Sequence, residues 1–328
     1  TVDRVSSDEI VIKKGRKRHK VPLYRNFPLK AHTVYDSDVK VKKGDKVRKG
    51  QLVADTNFTK DGKLSLGTNL FVAYMPFKGL NFEDGLIISE SAAKKLTSEH
   101  IYPKGSMIKG ATDVNPDIIV DRRKFVAAYP ATFKKDQVEN IGDDGIIKKG
   151  STVNPGDPLV LKLRRPSKTE WVRQRKKFAG GHTIKFRDKS LVWDKDHQGT
   201  VTDIVKKADG EVVVYVKTKE SAVQGDKLVG RHGNKGIITR VIPDGEMPFK
   251  TVDGKRKTVD IVLNPLGVPG RINLGQVLET AAGKIADKTG KVYKVKNFEP
   301  GKNYLESVKK DLAKAGLEDK ETLLNPDT

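Results

Sequence analysis

The sequence predicts a mainly β protein with a minor helical part. Three observations carry that expectation: short apolar or alternating runs recur between Gly and Pro turns, a complete hairpin pattern stands near the middle, and helical spacing is confined to three stretches. Val39–Val53 (VKVKKGDKVRKGQLV) alternates like a strand around a Gly-Asp turn, and Asn69–Tyr74 is an apolar run suited to a buried strand. Gly199–Lys217 (GTVTDIVKKADGEVVVYVK) reads as a hairpin whose Asp209-Gly210 corner tolerates positive φ. Asp260–Leu263 is a further short strand, ended by Asn264-Pro265. The helices are expected at Ser89–Leu96, capped by Ser89, at Leu274–Lys284, and at Tyr304–Ala315. In the second of these Leu274, Val277, Leu278 and Ala281 share one face. Lys43–Val53 and Val153–Val160 carry similar Gly-Asp turns, which predicts two small barrel-like modules of like construction.

Composition narrows the function classes. A chain of 328 residues has room for two or three packed domains. No run of about eighteen apolar residues occurs, which excludes a transmembrane helix, and the first twenty residues lack the apolar core of a secretory signal. With no cysteine there are no disulfides, no thiolate-ligated zinc and no thiol catalysis, in keeping with a cytoplasmic setting. The formal net charge of +22 favours polyanionic partners. Between Lys162 and Lys189 eleven Lys/Arg face two acids, a local net of +9. No amphipathic helix with a greasy face accompanies this charge, so nucleic acid is the expected partner and a membrane is not.

The stretch with most chemistry is Gln224–Ile238, QGDKLVGRHGNKGII, with four glycines, three cations and a histidine. Glycines allow tight turns and close approach of backbone to a ligand, and the cations then place charge near phosphates. It is not the GxxxxGK[ST] loop, because no Ser or Thr follows Lys235. The competing reading, a solvated basic hairpin, explains the glycine corners poorly. GDKLVGRHGNKG closely resembles the signature of the β subunit of bacterial-type multisubunit RNA polymerase. Phe71–Gly79 (FVAYMPFKG) with Asn81–Glu90 (NFEDGLIISE), and Asp260–Gln276 (DIVLNPLGVPGRINLGQ), resemble two further blocks of that family in the same order. The resemblance covers roughly Tyr24 to Lys284.

That resemblance implies one of two facing double-psi β-barrels, formed by residues 69–100 and 199–285. It also implies a sandwich-barrel hybrid module over 1–68, a wall- or flap-like insertion over 101–198 and a helical tail over 286–328. Lys227 and Lys235 match the family's paired lysines, which contact the RNA 3′ end and nucleotide phosphates. Arg271 matches an arginine near the incoming triphosphate, and Glu83 and Asp84 match an acidic pair near a nucleotide-borne Mg2+. Arg231, His232 and Asn234 complete the substrate-binding loop, with His232 expected to brace the loop or nearby nucleic acid rather than shuttle protons. Without the resemblance, Glu83-Asp84 reads as an exposed acidic turn and Arg271 as a surface ion-pair partner. Such cations suit phosphoryl transfer, which builds charge on oxygen, and magnesium favours carboxylate and phosphate oxygens. The catalytic Mg2+ of the family is held by three aspartates of the β′ partner, and no such Asp-x-Asp-x-Asp spacing occurs here.

The resemblance therefore implies a β fragment or a split-gene product that is inactive alone. It would act with a β′-type subunit, other β segments, α-type or initiation-factor subunits, DNA template, RNA and nucleoside triphosphates. Gly270 stands where the family usually has serine and Ser91 where it often has arginine, departures expected of a divergent, bacteriophage-encoded member. In the flap-like insertion Trp171, Phe178 and Phe186 interleave with cations, which fits either stacking on single-stranded nucleic acid or packing on the insertion's own hairpin. Two rivals remain. A biotinyl- or lipoyl-carrier half-barrel would need its modified lysine at a hairpin tip in an MKM or DKA context, absent from VKKGDKVRKGQLV. A non-catalytic nucleic-acid-binding protein is permitted by charge but leaves the joint presence of the paired lysines and the Glu-Asp block unexplained.

Overall fold

The computed structural model describes residues 1–107, 118–166, 186–296 and 298–326. With 36% of residues in strands against 19% in helices, the fold is mainly β, as expected. The chain forms two compact units, Thr1–Leu66 with Ser98–Glu220, and Gly67–Thr97 with Ser221–Thr328.

In the first unit, strands Val2–Val5, Glu9–Lys14 and Lys17–Pro22 form an antiparallel sheet in that order. Val2, Ile10, Leu23 and Val41 fill its core, with Val39, Val47 and Val53 packed alongside. The strand expected over Val39–Val53 is confined to Ser37–Val39; Lys40–Val53 is irregular. Gly44 (φ +95°) and Gly50 (φ +81°) fold this stretch into successive turns. Val39 pairs with Ala54, but Val41, Val47 and Val53 pack on the core from irregular backbone, so their spacing specified burial rather than a ladder. A second sheet runs Ser98–Met107, Glu211–Glu220, Gly199–Lys206, Thr152–Val153. Its hairpin forms as expected, although Gly210 alone supplies the positive φ, at +90°. Ser98 to Met107 pairs residue by residue with Glu220 to Glu211, so 199–220 is continuous with the first unit's sheet. Trp193, Phe125, Leu159, Leu161 and Leu163 are buried against Val212, Val214 and Val216.

The Gly-Asp resemblance has a precise physical basis. In Lys42–Asp45 the aspartate N–H donates to the Lys42 carbonyl at 3.1 Å, and its carboxylate accepts from the Lys42 N–H at 2.7 Å. Asn154–Asp157 repeats this at 3.0 and 2.8 Å. Val223–Asp226, a third copy that escaped the sequence reading, does so at 3.1 and 2.9 Å. Each places glycine third, at φ +95°, +86° and +96°, where a side chain would be strained.

The second unit centres on a five-stranded sheet ordered Val72–Tyr74, Ile261–Leu263, Gly85–Ser89, Lys235–Ile242, Lys227–Val229. Gly85–Ser89 (GLIIS) is buried throughout, as a strand covered on both faces must be. Ile87 joins Ala73, Phe77, Met247 and Val262 on one face, while Leu86 and Ile88 join Ala92, Ala93, Ile238 and Ile261 on the other. The chain then enters the helix Glu90–Lys95, where the Ser89 hydroxyl accepts from the Ala92 N–H at 3.0 Å. The helix expected to end at Lys284 runs Leu274–Thr289 and stops at Gly290 (φ +65°). Its buried stripe also differs: Leu278, Ala281 and Ile285 pack against Val308 and Leu312 of the helix Tyr304–Lys314, while Leu274 and Val277 are exposed. Ile285, outside the expected segment, continues that stripe by one turn. Among the described residues no helix is long and apolar enough to cross a membrane.

The C-terminal segment is pinned by reciprocal backbone hydrogen bonds between Phe249 and Leu324, at 3.1 and 2.7 Å. Next to them Glu321 accepts from Lys250 at 2.6 Å and pairs with Lys284 at 2.9 Å. Burial alone would raise the Glu321 carboxyl, but the hydrogen bonds from Lys250 and Lys284 outweigh it and hold its pKa below the ordinary value. A lowered folded-state pKa means the unfolded chain binds the proton more readily, so this stabilisation is complete above the ordinary glutamate value of about 4.3 and disappears as pH falls through the lowered folded value. Hydrogen exchange should therefore show protection of the Phe249 and Leu324 amides at neutral pH that weakens across this acid window. In Glu321→Gln the protection should be lower at neutral pH and lack that acid step.

Candidate functional site

The signature stretch folds as a hairpin, Lys227–Val229 against Lys235–Ile242, closed by the loop 230–234. The loop turns at Gly233 (φ +75°), and the Gly230 N–H reaches the Asn234 carbonyl at 3.3 Å. Asn234 lies over Gly230 so closely that a Cβ there would fall 2.2 Å from its Oδ1. The structure thus places Asn234 as a clamp of the loop. Register pairs Lys227 with Ile237 and Val229 with Lys235, so both lysines stand on one strand face. They are diagonal neighbours, about 7–8 Å apart along the ribbon. Lys227, Val229, Lys235 and Ile237 are exposed, while Gly236 and Ile238 on the other face are buried. Among the described residues neither lysine has a carboxylate within ion-pair distance.

The acidic block lies directly beside this hairpin. Strand Gly85–Ser89 runs parallel to Lys235–Ile242, and the Ile237 N–H donates to the Asp84 carbonyl at 2.9 Å. Gly236 makes that approach possible: a Cβ would stand 2.5 Å from the Asp84 carbonyl oxygen and 2.7 Å from Leu86 Cγ. Glu83 occupies the left-handed region (φ +50°), at a turn closed by the Gly85 N–H on the Phe82 carbonyl. Buried Asn81 braces this turn: its amide oxygen accepts from the Phe77 N–H at 2.9 Å and its amide nitrogen donates to the Met75 carbonyl at 2.7 Å. Sequence reasoning singled out the acids and missed this support.

Arg271 caps the short helix Gly267–Gly270 and forks onto both Asp84 oxygens, at 2.5 and 3.1 Å. These hydrogen bonds raise the guanidinium pKa further, leaving it charged at any working pH. Arg231 and His232 converge on Glu279, at 2.5 and 2.9 Å, and Arg231 also donates to Asn69 at 2.8 Å. The Asn273 side chain holds the His232 carbonyl at 3.1 Å. Gly275 leaves space for the imidazole, since a Cβ would lie 2.5 Å from its Nδ1. His232 is thus a brace between loop and helix. Glu279, the counter-ion of two predicted residues, was not foreseen, because the apolar spacing of its helix says nothing about polar partners.

All eight predicted site residues thus lie on this hairpin, the acidic turn beside it, or the Arg271 corner. Among the described residues the arrangement leaves the Lys227 and Lys235 ammonium groups without a carboxylate partner on one face and ties Arg231 and Arg271 to carboxylates. Among the described residues no group of three or more His, Asp or Glu is placed to hold a metal ion. Glu83 and Asp84 are two carboxylates, the latter held by Arg271 through both oxygens, and form no such group. Trp171 and Phe178 lie outside the described residues. Phe186 packs against the first unit's core, and its carbonyl accepts from the Tyr129 hydroxyl at 2.7 Å.

The site thus consists of glycine-cornered lysines beside an Asp–Arg fork in a mainly β protein. The family described as RNA polymerase Rpb2, domain 6, matches residues 1–328, and the chain belongs to that family. It is 36% identical over 307 residues to the DNA-directed RNA polymerase subunit beta of Tropheryma whipplei (strain TW08/27), covering 89% of this chain and 26% of that protein. It is also 36% identical over 305 residues to the subunit of the same name from Rubrobacter xylanophilus, covering 88% and 26%. The Treponema denticola subunit is 34% identical over 336 residues, covering 96% and 28%. The chain thus spans about a quarter of these relatives' length. Nothing in these comparisons supports a phage origin.

The contact at Gly236 yields a direct test. Gly236→Ala should destabilise the second unit by about 1–3 kcal/mol, the usual cost of overpacking, measured by urea unfolding.

Proposed function

We propose that this chain is the β-subunit segment of a DNA-directed RNA polymerase that positions the RNA 3′ end and the nucleoside triphosphate phosphates for nucleotidyl transfer by the assembled complex. The observation that carries this reading is the pair of exposed lysines, without a carboxylate partner among the described residues, on one face of a hairpin whose register is locked to the acidic turn. Lys227 and Lys235 would meet phosphate oxygens as negative charge develops there, which preplaced cations stabilise strongly in a partly dry site. Arg271, held by Asp84, would present its remaining edge to the triphosphate. Arg231, His232 and Asn234 would shape the loop against the RNA end. Magnesium, held mainly by a β′-type partner, would polarise phosphoryl oxygens and orient the attacking hydroxyl. Glu83 and Asp84 would flank the nucleotide-borne ion.

The second unit is then the part of a double-psi β-barrel contributed by this chain, with its acidic turn and hairpin from its two sequence halves. The reading requires covering chains: a β′-type subunit, other β segments, α-type or initiation-factor subunits, and the DNA template, in the cytoplasm. The surroundings agree. Phe82 (76% exposed), Ile272 (83%) and Val229 (69%) stand bare beside Glu83, Arg271 and Lys235, a grouping typical of a surface awaiting a partner. A non-catalytic nucleic-acid-binding protein would use the same cations without needing the Asp84–Arg271 fork.

In the assembled enzyme Lys235→Ala should slow nucleotide addition by about 10²–10³-fold, the usual loss for removing one preorganised charge-stabilising group, while leaving the fold intact. Single-nucleotide addition kinetics measure this. Normal elongation by the variant would contradict the assignment, and failure of any assembly to make RNA would favour the binding-protein reading.

A further inference from the structure

Far from these residues in sequence, the first unit carries a second concentration of charge with its own geometry. Strands Glu9–Lys14 and Lys17–Pro22 form a two-stranded ribbon that turns at Gly15 (φ +58°). Its outer half, KKGRKRHK over Lys13–Lys20, contains six Lys/Arg and one histidine and no acid. Every one of these eight residues is exposed.

Register makes the arrangement costly for the ribbon itself. Lys13 stands directly opposite Arg18, and Lys14 directly opposite Lys17. Like charges facing each other across an antiparallel pair destabilise it. Relief from within the chain is slight: Arg18 lies 3.5 Å from Asp3 and Lys20 3.4 Å from Glu9. Among the described residues Lys13, Lys14, Arg16 and Lys17 have no carboxylate within ion-pair distance. Lysines on an edge strand discourage edge-to-edge pairing, and Lys17–Pro22 is such an edge, but that role needs one or two charges rather than facing pairs on both strands. The base, by contrast, is well anchored: Ile10 and Val11 are buried, and Lys13 exchanges backbone hydrogen bonds with Thr1 at 2.8 and 3.0 Å.

Because successive residues of a strand point to opposite faces, the Lys13–Arg18 pair and the Lys14–Lys17 pair project from opposite sides of the ribbon, with Arg16 at its tip. The B-form major groove admits a two-stranded ribbon and is bordered by a phosphate backbone on each side. We propose that the Lys13–Lys20 ribbon is a duplex-DNA-binding element that seats in the major groove and holds both flanking backbones, without reading sequence. The repulsion stored in the free ribbon is relieved by the phosphates, and the bound state gains from counterion release. The element goes beyond the function proposed above, lies in the other compact unit, and is read by equilibrium binding rather than by RNA synthesis, so the two fail independently.

The test uses the full chain, with fluorescence anisotropy of a random-sequence DNA duplex of about 20 base pairs titrated across about 50 to 200 mM salt. Two variants of equal charge change are compared: Lys13→Gln/Lys14→Gln/Arg16→Gln/Lys17→Gln in the ribbon, and Lys291→Gln/Lys294→Gln/Lys309→Gln/Lys310→Gln on exposed positions of the other unit. At about 0.9 per phosphate contact, the ribbon variant should lower the slope of log K against log salt by about 3 to 4 and weaken binding by roughly tenfold or more. The control should change little, and circular dichroism melting should show the ribbon variant at least as stable as the parent. Equal losses in the two variants would overturn the proposal. So would a ribbon variant whose loss is as large for single-stranded RNA of the same length as for the duplex.

Discussion

The hydrogen bond from the Ile237 N–H to the Asp84 carbonyl, at 2.9 Å, is the contact on which the candidate site depends. It joins two strands far apart in sequence and sets their parallel register, and only a residue without a side chain at 236 lets the backbones meet. Everything chemical follows from that register. Once Gly85 faces Ile237, the acidic turn ends beside Lys235, Ile87 and Ile88 divide between two cores, and the hairpin must turn its lysine face outward. The glycines of the signature are therefore structural conditions for the placement of charge.

Charge is then sorted rather than merely accumulated. Arg271 is forked onto Asp84, and Arg231 and His232 share Glu279, so both arginines and the histidine near the hairpin arrive already oriented. Exposed pairs of this kind add little stability, and their value here is geometric. Among the described residues Lys227 and Lys235 have no carboxylate within ion-pair distance, an exposure that a phosphate ligand would reward. The ribbon at Lys13–Lys20 shows the same economy in another unit: like charges are held face to face on a well-anchored base.

Much of this was legible in the residues. The Ser89 helix cap, the hairpin begun at Gly199 and the turn-rich signature were all readable because each depends on contacts within a few residues. What escaped depends on partners far along the chain. Asp84 and Arg271 lie 187 positions apart, so no spacing announces their fork, and Glu279 became visible only when its helix was docked beside the loop. Asn81 escaped for a similar reason, since its buried amide answers backbone groups of an irregular loop. The stretch after Val39 misled because inward-facing valines at even spacing look the same whether or not a ladder accompanies them. The third Gly-Asp turn was overlooked within a motif read for its cations.

The central claim is that Lys227 and Lys235, among the many lysines of this chain, are the ones that meet nucleotide phosphates. Its most direct measurement is affinity labelling of the assembled enzyme with an aldehyde-bearing nucleoside triphosphate. The imine formed with a nearby lysine is reduced by borohydride and the adduct located by peptide mass spectrometry. Adducts confined to the peptides containing Lys227 and Lys235, and competed away by unmodified triphosphate, are the predicted result. Adducts scattered over the basic surface, with these two lysines unmodified, would contradict the account.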